Sequence, residues 1–177
     1  MSDKKQTYDL KFWLSMIGQI LLAFVIFIVL SEWQATDMRD QGEKLRPITS
    51  PTLTGDTLTF PNQSVKSENT LVYFFAPWCT ICDLSMGNLN LVKHQFNSEV
   101  NVVIVALEYQ SIEEVEEFIA DKELDFPVIL GDSRWAKEYQ IKAFPSYYIV
   151  DNSGTVLSRT MGYSSTAGML SRLAWHE

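Results

Sequence analysis

The sequence has few metal-ligating side chains and little positive charge. Two cysteines, Cys79 and Cys82, and two histidines, His94 and His176, are its whole supply of thiolate and imidazole ligands. A structural zinc site usually takes four ligands, and neither histidine is spaced like a partner to the cysteine pair. Lys and Arg total 14 against 22 Asp and Glu, a net charge of -8. No basic stripe is available to meet phosphate, which excludes a nucleic-acid partner. Internal repeats and low-complexity tracts are also absent. Acidity is densest at Glu113, Glu114, Glu116, Glu117, Asp121 and Glu123, a run that reads as the solvated face of a helix.

What is present is concentrated in Trp78-Cys79-Thr80-Ile81-Cys82. An apolar run, Leu71 to Phe75, comes just before the cysteines, and a helical pattern from Asp83 onward comes just after. Both sulfurs therefore fall at a strand-to-helix junction. A thiol there faces unpaired N–H groups and the positive end of the helix dipole. Both favour the thiolate, which is the reactive form. A static staple closing so short a loop would remove little unfolded-state entropy. Two inert buried thiols do not suit the Trp-Cys-x-x-Cys context. A CxxC within a βαβ pattern points to redox exchange of disulfides.

Phe12 to Leu30 is uncharged and almost wholly apolar. At about 1.5 Å per residue, a helix of that length reaches roughly the thickness of a bilayer's hydrocarbon core. Trp13 and Trp33 stand at its ends, where interfacial aromatics belong. A terminal run this long is unlike a buried core helix. A cleaved signal peptide would have a shorter apolar region and a small-residue cleavage site, which Val29-Leu30-Ser31 matches only passably. The expectation is an uncleaved transmembrane helix over 12–30. Lys4, Lys5 and Lys11 precede it and Arg39, Lys44 and Arg46 follow, so the cations balance. Lys11 on one side and Glu32 on the other place the N-terminus, 1–11, inside and the remainder outside. In a bacterium that means an inner-membrane anchor with a periplasmic domain, where disulfide chemistry is at home.

Residues 31–47 are polar and weakly periodic and read as a tether. A domain over 48–177 then opens with two alternating segments flanking Gly55-Asp56, a hairpin signal. The pattern continues as a central strand over Leu71–Phe75 and a helix from Thr80 to about Phe96, weakened at Gly87. A buried strand follows over Asn101–Leu107. The next helix is capped by Ser111 with Glu114 and runs to about Glu123. A strand over Phe126–Leu130 and a short helix over Ser133–Gln140 come next. Strands at Ser146–Val150 and Thr155–Met161 form a hairpin, and a helix over Thr166–Trp175 closes the chain. Strands alternating with helices imply a layered α/β domain with a largely parallel central sheet, to which the terminal hairpin adds antiparallel pairing. Working residues gather at the strand carboxyl ends of such sheets.

The segments Phe74-Phe75-Ala76-Pro77-Trp78-Cys79-Thr80-Ile81-Cys82 and Ala143-Phe144-Pro145-Ser146-Tyr147-Tyr148-Ile149-Val150 resemble the thioredoxin superfamily. The extra helix and strand between them, Ile112 to Leu130, look like the insertion of its TlpA/ResA-like branch of membrane-anchored extracytoplasmic thiol–disulfide oxidoreductases. The tail from Thr160 to Trp175 is similar to copper-sensitivity-suppressor proteins of the ScsD type. The resemblance covers roughly 48–177. It implies a thioredoxin-like α/β fold with a mixed central sheet, a redox-active Cys79–Cys82 disulfide, and a cis-proline, Pro145, facing it. It also implies an apolar docking surface made by Trp78, Phe144, Pro145 and Gly162, where a substrate segment pairs with a free backbone edge. No cofactor or resident metal is implied. The chain departs from the family in its acids. Thioredoxin itself has a buried aspartate six residues before the first cysteine, where Tyr73 stands. ResA-type proteins place a glutamate six residues after it, where Ser85 stands. Glu108, at the end of the Asn101–Leu107 strand, is the candidate substitute for moving protons.

On this basis Cys79 is expected to attack a partner protein's disulfide and Cys82 to resolve the mixed disulfide. A membrane-embedded donor of the DsbD type could then re-reduce the pair. An oxidant with the same site, running in the opposite direction, is equally compatible with these residues. A copper-binding or copper-delivering module is a third reading, since thiolates bind Cu(I). Against it, the histidines are distant and Met86, Met161 and Met169 are scattered. An inactive docking module does not explain two intact cysteines.

Overall fold

The computed structural model describes residues 3–35, 38–62, 69–95, 100–120, 122, 124 and 126–176. The chain divides into two units, Met1–Thr36 and Asp37–Glu177. The first is a single helix, α1 (Asp3–Ala35), longer at both ends than the apolar run over 12–30. Its described apolar side chains, Phe12, Leu22 and Val29 among them, are exposed. Among the described residues no helix is long and apolar enough to cross a membrane. That departs from the expected span. The run passes through Phe27 and Ile28, which lie outside the described side chains, as do Lys4, Lys5, Lys11, Glu32 and Trp33.

The second unit is built on a five-stranded mixed sheet. Its strands are β3 (Asn69–Phe75), β4 (Val100–Ala106), β5 (Val128–Leu130), β6 (Ser146–Asp151) and β7 (Val156–Met161), in the order β5-β4-β3-β6-β7. The pairs β3–β4 and β4–β5 are parallel, while β3–β6 and β6–β7 are antiparallel. The sheet is thus evenly mixed rather than largely parallel. Every residue of β3 is buried, because the strand is central and both sheet faces are covered. Strand alternation sends Leu71, Tyr73 and Phe75 to one face, where they pack with Met86, Leu89, Val115, Met169 and Leu173. These come from α2 (Thr80–Gln95), α3 (Ile112–Ala120) and α5 (Thr166–Ala174). Phe74 goes to the other face and meets Trp135, Tyr139 and Tyr148 at centroid distances of 6.3, 4.7 and 6.2 Å. Trp135 belongs to α4 (Ser133–Glu138). It stacks on Tyr139 at 5.5 Å and donates its indole N–H to Ser50 Oγ at 2.9 Å.

Local signals hold with small shifts. The hairpin is β1 (Ile48–Pro51) with β2 (Thr57–Phe60), closed through Gly55 at φ 88°. Ser111 Oγ accepts from Glu114 N–H at 3.3 Å, and the Glu114 carboxylate takes Gln110 N–H at 2.8 Å, one residue earlier than a standard capping box. The strand expected from Phe126 begins at Val128, because Pro127 has no N–H to give a ladder. The ends of α2 and α3 expected at Phe96 and Glu123 lie outside the described residues.

The stretch 31–47 is not one tether. Residues 31–35 complete α1, whereas 38–47 belong to the α/β unit, with Met38 and Leu45 buried. Gly42 N–H donates to Val156 O at 2.8 Å, Val156 N–H to Glu43 O at 2.9 Å, and Leu45 N–H to Gly154 O at 2.8 Å. This lays the segment against the β6–β7 turn and the first residue of β7. Beyond β1, Leu53 N–H donates to Val128 O at 2.8 Å and Thr52 bridges to Ile129, along β5. Glu138, 4% exposed, explains the polar sequence. It accepts from Arg46 N–H and Nε, both at 2.9 Å, and from Arg46 Nη2 at 2.6 Å, with Arg39 Nη2 at 3.7 Å. Burial works to raise its carboxyl pKa, but the Arg46 bonds and both guanidinium charges outweigh it and hold the group below its ordinary value. Its stabilising contribution is therefore complete above the ordinary glutamate value of about 4.3 and is lost as pH falls through the lower folded value. Glu138→Gln is expected to cost about 2 kcal/mol at pH 7, a figure moderated by the exposure of Arg46. Denaturant midpoints at pH 7 and below pH 4 check it, the difference between variant and parent shrinking at the acid end.

Candidate active site

The site sits where β3 ends and α2 begins. The chain leaves the sheet at Ala76, and Cys79 N–H donates back to Ala76 O at 3.0 Å, a tight turn that sets Cys79 at the helix entrance. Asp83 N–H donates to Cys79 O at 3.1 Å and starts the helical ladder. The two cysteines are joined, with Cα atoms 5.2 Å apart. Cys82 N–H donates to Cys79 Sγ at 3.1 Å. An otherwise orphaned helix N–H therefore points at the first sulfur, where it stabilises negative charge. Cys79 is 6% exposed and Cys82 0%. The first sulfur is thus the one a partner can reach. Asp83, in the first turn of α2, complements the helix dipole and pairs with Lys122.

A second loop completes the site. The Phe144–Pro145 bond is cis, as the resemblance implied. Ser146 Oγ, fully buried, donates to Ala143 O at 2.8 Å and ties the two ends of this loop. Trp78 and Phe144 meet edge-on at 5.8 Å, with Trp78 61% exposed and Phe144 half-buried. Gly162 N–H donates to Pro145 O at 2.7 Å, at a φ of 90° that favours glycine. This amends the expected free edge, because the Pro145 carbonyl is already taken. The backbone of Phe144 makes no backbone hydrogen bond among the described residues. Ile81, Leu84 and Tyr163 are also exposed and extend the apolar rim. Ile81 could have been read from its place between the cysteines. Leu84 and Leu91 sit among the apolar positions of the helix pattern yet face outward, while Met86, Leu89 and Val92 face in.

Glu108 does not provide a buried acid. It follows β4, is exposed, and has a φ of 52°. It lines a concavity of about 470 Å³ at the carboxyl ends of β4 and β5, with Tyr109, Gly131 and Phe144. Gly131 is required there, since a Cβ would lie 2.6 Å from Val105 Cγ1 and 2.9 Å from Ala106 O. Burial, and secondarily the Asp132 carboxylate, push the Tyr109 phenol upward. Tyr73 and Ser85, the two residues standing where relatives carry acids, meet under the helix, with Tyr73 Oη 2.6 Å from Ser85 Oγ. The three-residue step from Cys82 to Ser85 places those two side chains side by side on the helix, but no spacing in the sequence announces the contact with Tyr73. His94 is exposed in the last turn of α2, at the opposite end from Cys79. Met86 and Met169 are buried core residues. Among the described residues, no group of three or more His, Cys, Asp or Glu is placed to hold a metal ion.

An amide-supported disulfide, reachable at one sulfur and flanked by a Trp78 ring that meets Phe144 of a cis-proline loop, is the equipment of a thiol–disulfide oxidoreductase on a thioredoxin-like fold. The chain belongs to the AhpC/TSA family, whose model matches residues 41–159. It is 28% identical over 115 residues to the sporulation thiol-disulfide oxidoreductase A of Bacillus subtilis, covering 63% of this chain and 68% of that protein. It is 23% identical over 172 residues to the thioredoxin-like protein YneN of the same organism, covering 93% and 98%. Among solved structures, a thiol:disulfide interchange protein of the thioredoxin family from Chlorobium tepidum superposes with a TM-score of 0.67 at 19% identity, over 78% of this chain and 98% of that one.

Proposed function

We propose that the protein is a reductase of partner-protein disulfides, held at the outer face of a bacterial inner membrane. The observation that supports it most is the Cys82 N–H aimed at Cys79 Sγ, on the sulfur that a partner reaches first. Cys79 acts as nucleophile and Cys82 as the resolving thiol. A segment of the partner lies on Trp78 and Phe144 and pairs with backbone beside Pro145. The uncharged run over 12–30, whose described apolar side chains are exposed, supports an anchor with the N-terminus in the cytoplasm. A DsbD-type membrane protein would supply electrons. The tail resemblance to ScsD-type proteins favours wrongly oxidised proteins under copper stress as substrates. The reverse direction, an oxidant of secreted thiols, uses the same groups. The reduction potential separates the two. A value nearer thioredoxin's, about -270 mV, is expected, whereas one near DsbA's, about -120 mV, makes the protein an oxidant. Alkylation trapping in intact cells should correspondingly find most of the pool reduced.

A further inference from the structure

A buried pair of hydroxyls lies behind the disulfide, unused by the exchange as described so far. Tyr73 on β3 and Ser85 in α2 are both fully buried, with their oxygens 2.6 Å apart. Ser85 Oγ also donates to Ile81 O at 2.9 Å, with Cys82 O at 3.4 Å. A hydroxyl has one proton to donate. With the Ser85 proton on the Ile81 carbonyl, the proton in the 2.6 Å bond comes from Tyr73. Donation therefore runs from the sheet, through Ser85, into the first turn of α2. Burial, only partly countered by the Ser85 hydrogen bond, pushes the Tyr73 phenol far above its ordinary value, so it is a neutral donor at any working pH. Ser85 follows Cys82 by three residues, which makes their side chains neighbours on one buried helix face.

The surroundings bring no carboxylate to this pair among the described residues. The positions of β3 and β4 that meet α2 are otherwise apolar. Asp83 is half-exposed and paired with Lys122. Tyr147 on β6 is bonded to Ser164, 3.0 Å away. The charged residue of α5 is Arg172. Glu108 is exposed beyond β4.

We propose that Ser85, backed by Tyr73, is the hydrogen-bond donor to the sulfur of Cys82 when the disulfide opens, a charge-free device in place of a buried acid. The proposal rests on the exchange reaction above. An incoming thiolate bonds to Cys79 Sγ, and the Cys79–Cys82 bond breaks. Its electron pair passes to Cys82 Sγ, which leaves as a thiolate, so the incoming sulfur is oxidised and Cys82 is reduced. The Ser85 O–H turns from the Ile81 carbonyl to that anion, while Tyr73 continues to donate to Ser85. No proton changes owner in this step. In the reverse step the same bond is released as Cys82 attacks.

The test is the titration of Cys82 in full-length protein carrying Cys79→Ser, followed by thiolate ultraviolet absorbance. Adding Ser85→Ala is expected to raise the Cys82 pKa by about one unit, a tenfold loss of thiolate at a given pH, and Tyr73→Phe to raise it by a smaller amount. Ser85→Thr, which keeps the hydroxyl, should restore it. In the two-cysteine protein, Ser85→Ala should slow disulfide opening about tenfold. An unmoved Cys82 pKa in both Ser85→Ala and Tyr73→Phe, even with a lowered melting temperature, overturns the proposal. If the parent shows no exchange with any disulfide, it is the exchange reading that fails.

Discussion

Cys79→Ser is expected to reduce disulfide exchange to the uncatalysed background, a fall on the order of a thousandfold or more. The reason is geometric. Cys82 is fully buried beneath the helix entrance, so it cannot substitute as the attacking group when the more accessible sulfur of Cys79 is lost. Cys82→Ser should behave differently. It leaves Cys79 at the helix N-terminus with its supporting amide, because the bond to Cys79 Sγ comes from the backbone of residue 82 and survives the substitution. The nucleophile still forms a mixed disulfide but nothing resolves it, and covalent adducts accumulate. Turnover of a disulfide-bonded protein and non-reducing electrophoresis read the two outcomes. Undiminished turnover without Cys79 would show that the chemistry lies elsewhere.

Trp135→Ala is expected to cost about 3–5 kcal/mol, enough to unfold a domain of ordinary stability or leave it marginal. The indole is fully buried, stacked on Tyr139 and set against Phe74, and its N–H is satisfied by Ser50. Truncation opens a cavity between α4 and the sheet and strands the Ser50 hydroxyl in it. Trp135→Phe should recover most of the packing and lose only the hydrogen bond. Denaturant unfolding gives the free energies. A loss under about 1 kcal/mol would mean that the neighbouring rings close over the gap, against the usual stiffness of packed interiors.

The chemistry was legible where chain neighbours create it. The CxxC, the apolar run before it and the helix after it are contiguous, so sequence alone places the sulfurs at the junction, and the resemblance orders them as nucleophile and resolving thiol. The strands followed from β-branched and aromatic runs. What sequence could not supply was pairing across the chain. Nothing around residues 38–46 announces that Arg46 will meet Glu138, 92 residues away, and a polar stretch without period reads as a linker. Equally, Tyr73 and Ser85 each depart from the family's pattern in plain view of the sequence, but their bond arises from strand β3 lying under α2. Glu108 stands at a strand end, where the sequence pattern suggests a working residue, but its backbone at φ 52° turns it outward. Leu84 and Leu91 show the same limit in reverse, since apolar residues on the outer face of a helix look like core until the helix is docked.

The segments flanking β1 reach both outer strands of the sheet, 42–45 at the turn before β7 and its first residue, and 52–53 beside β5. An outer strand left bare offers a row of free amides and carbonyls to any other extended chain. A reductase of partner-protein disulfides, as proposed above, meets such chains at every turnover. By covering β5 and the start of β7 with its own backbone, the fold narrows the edge open to such association, and under the proposed exchange the loop at Phe144 turns strand-like pairing to use.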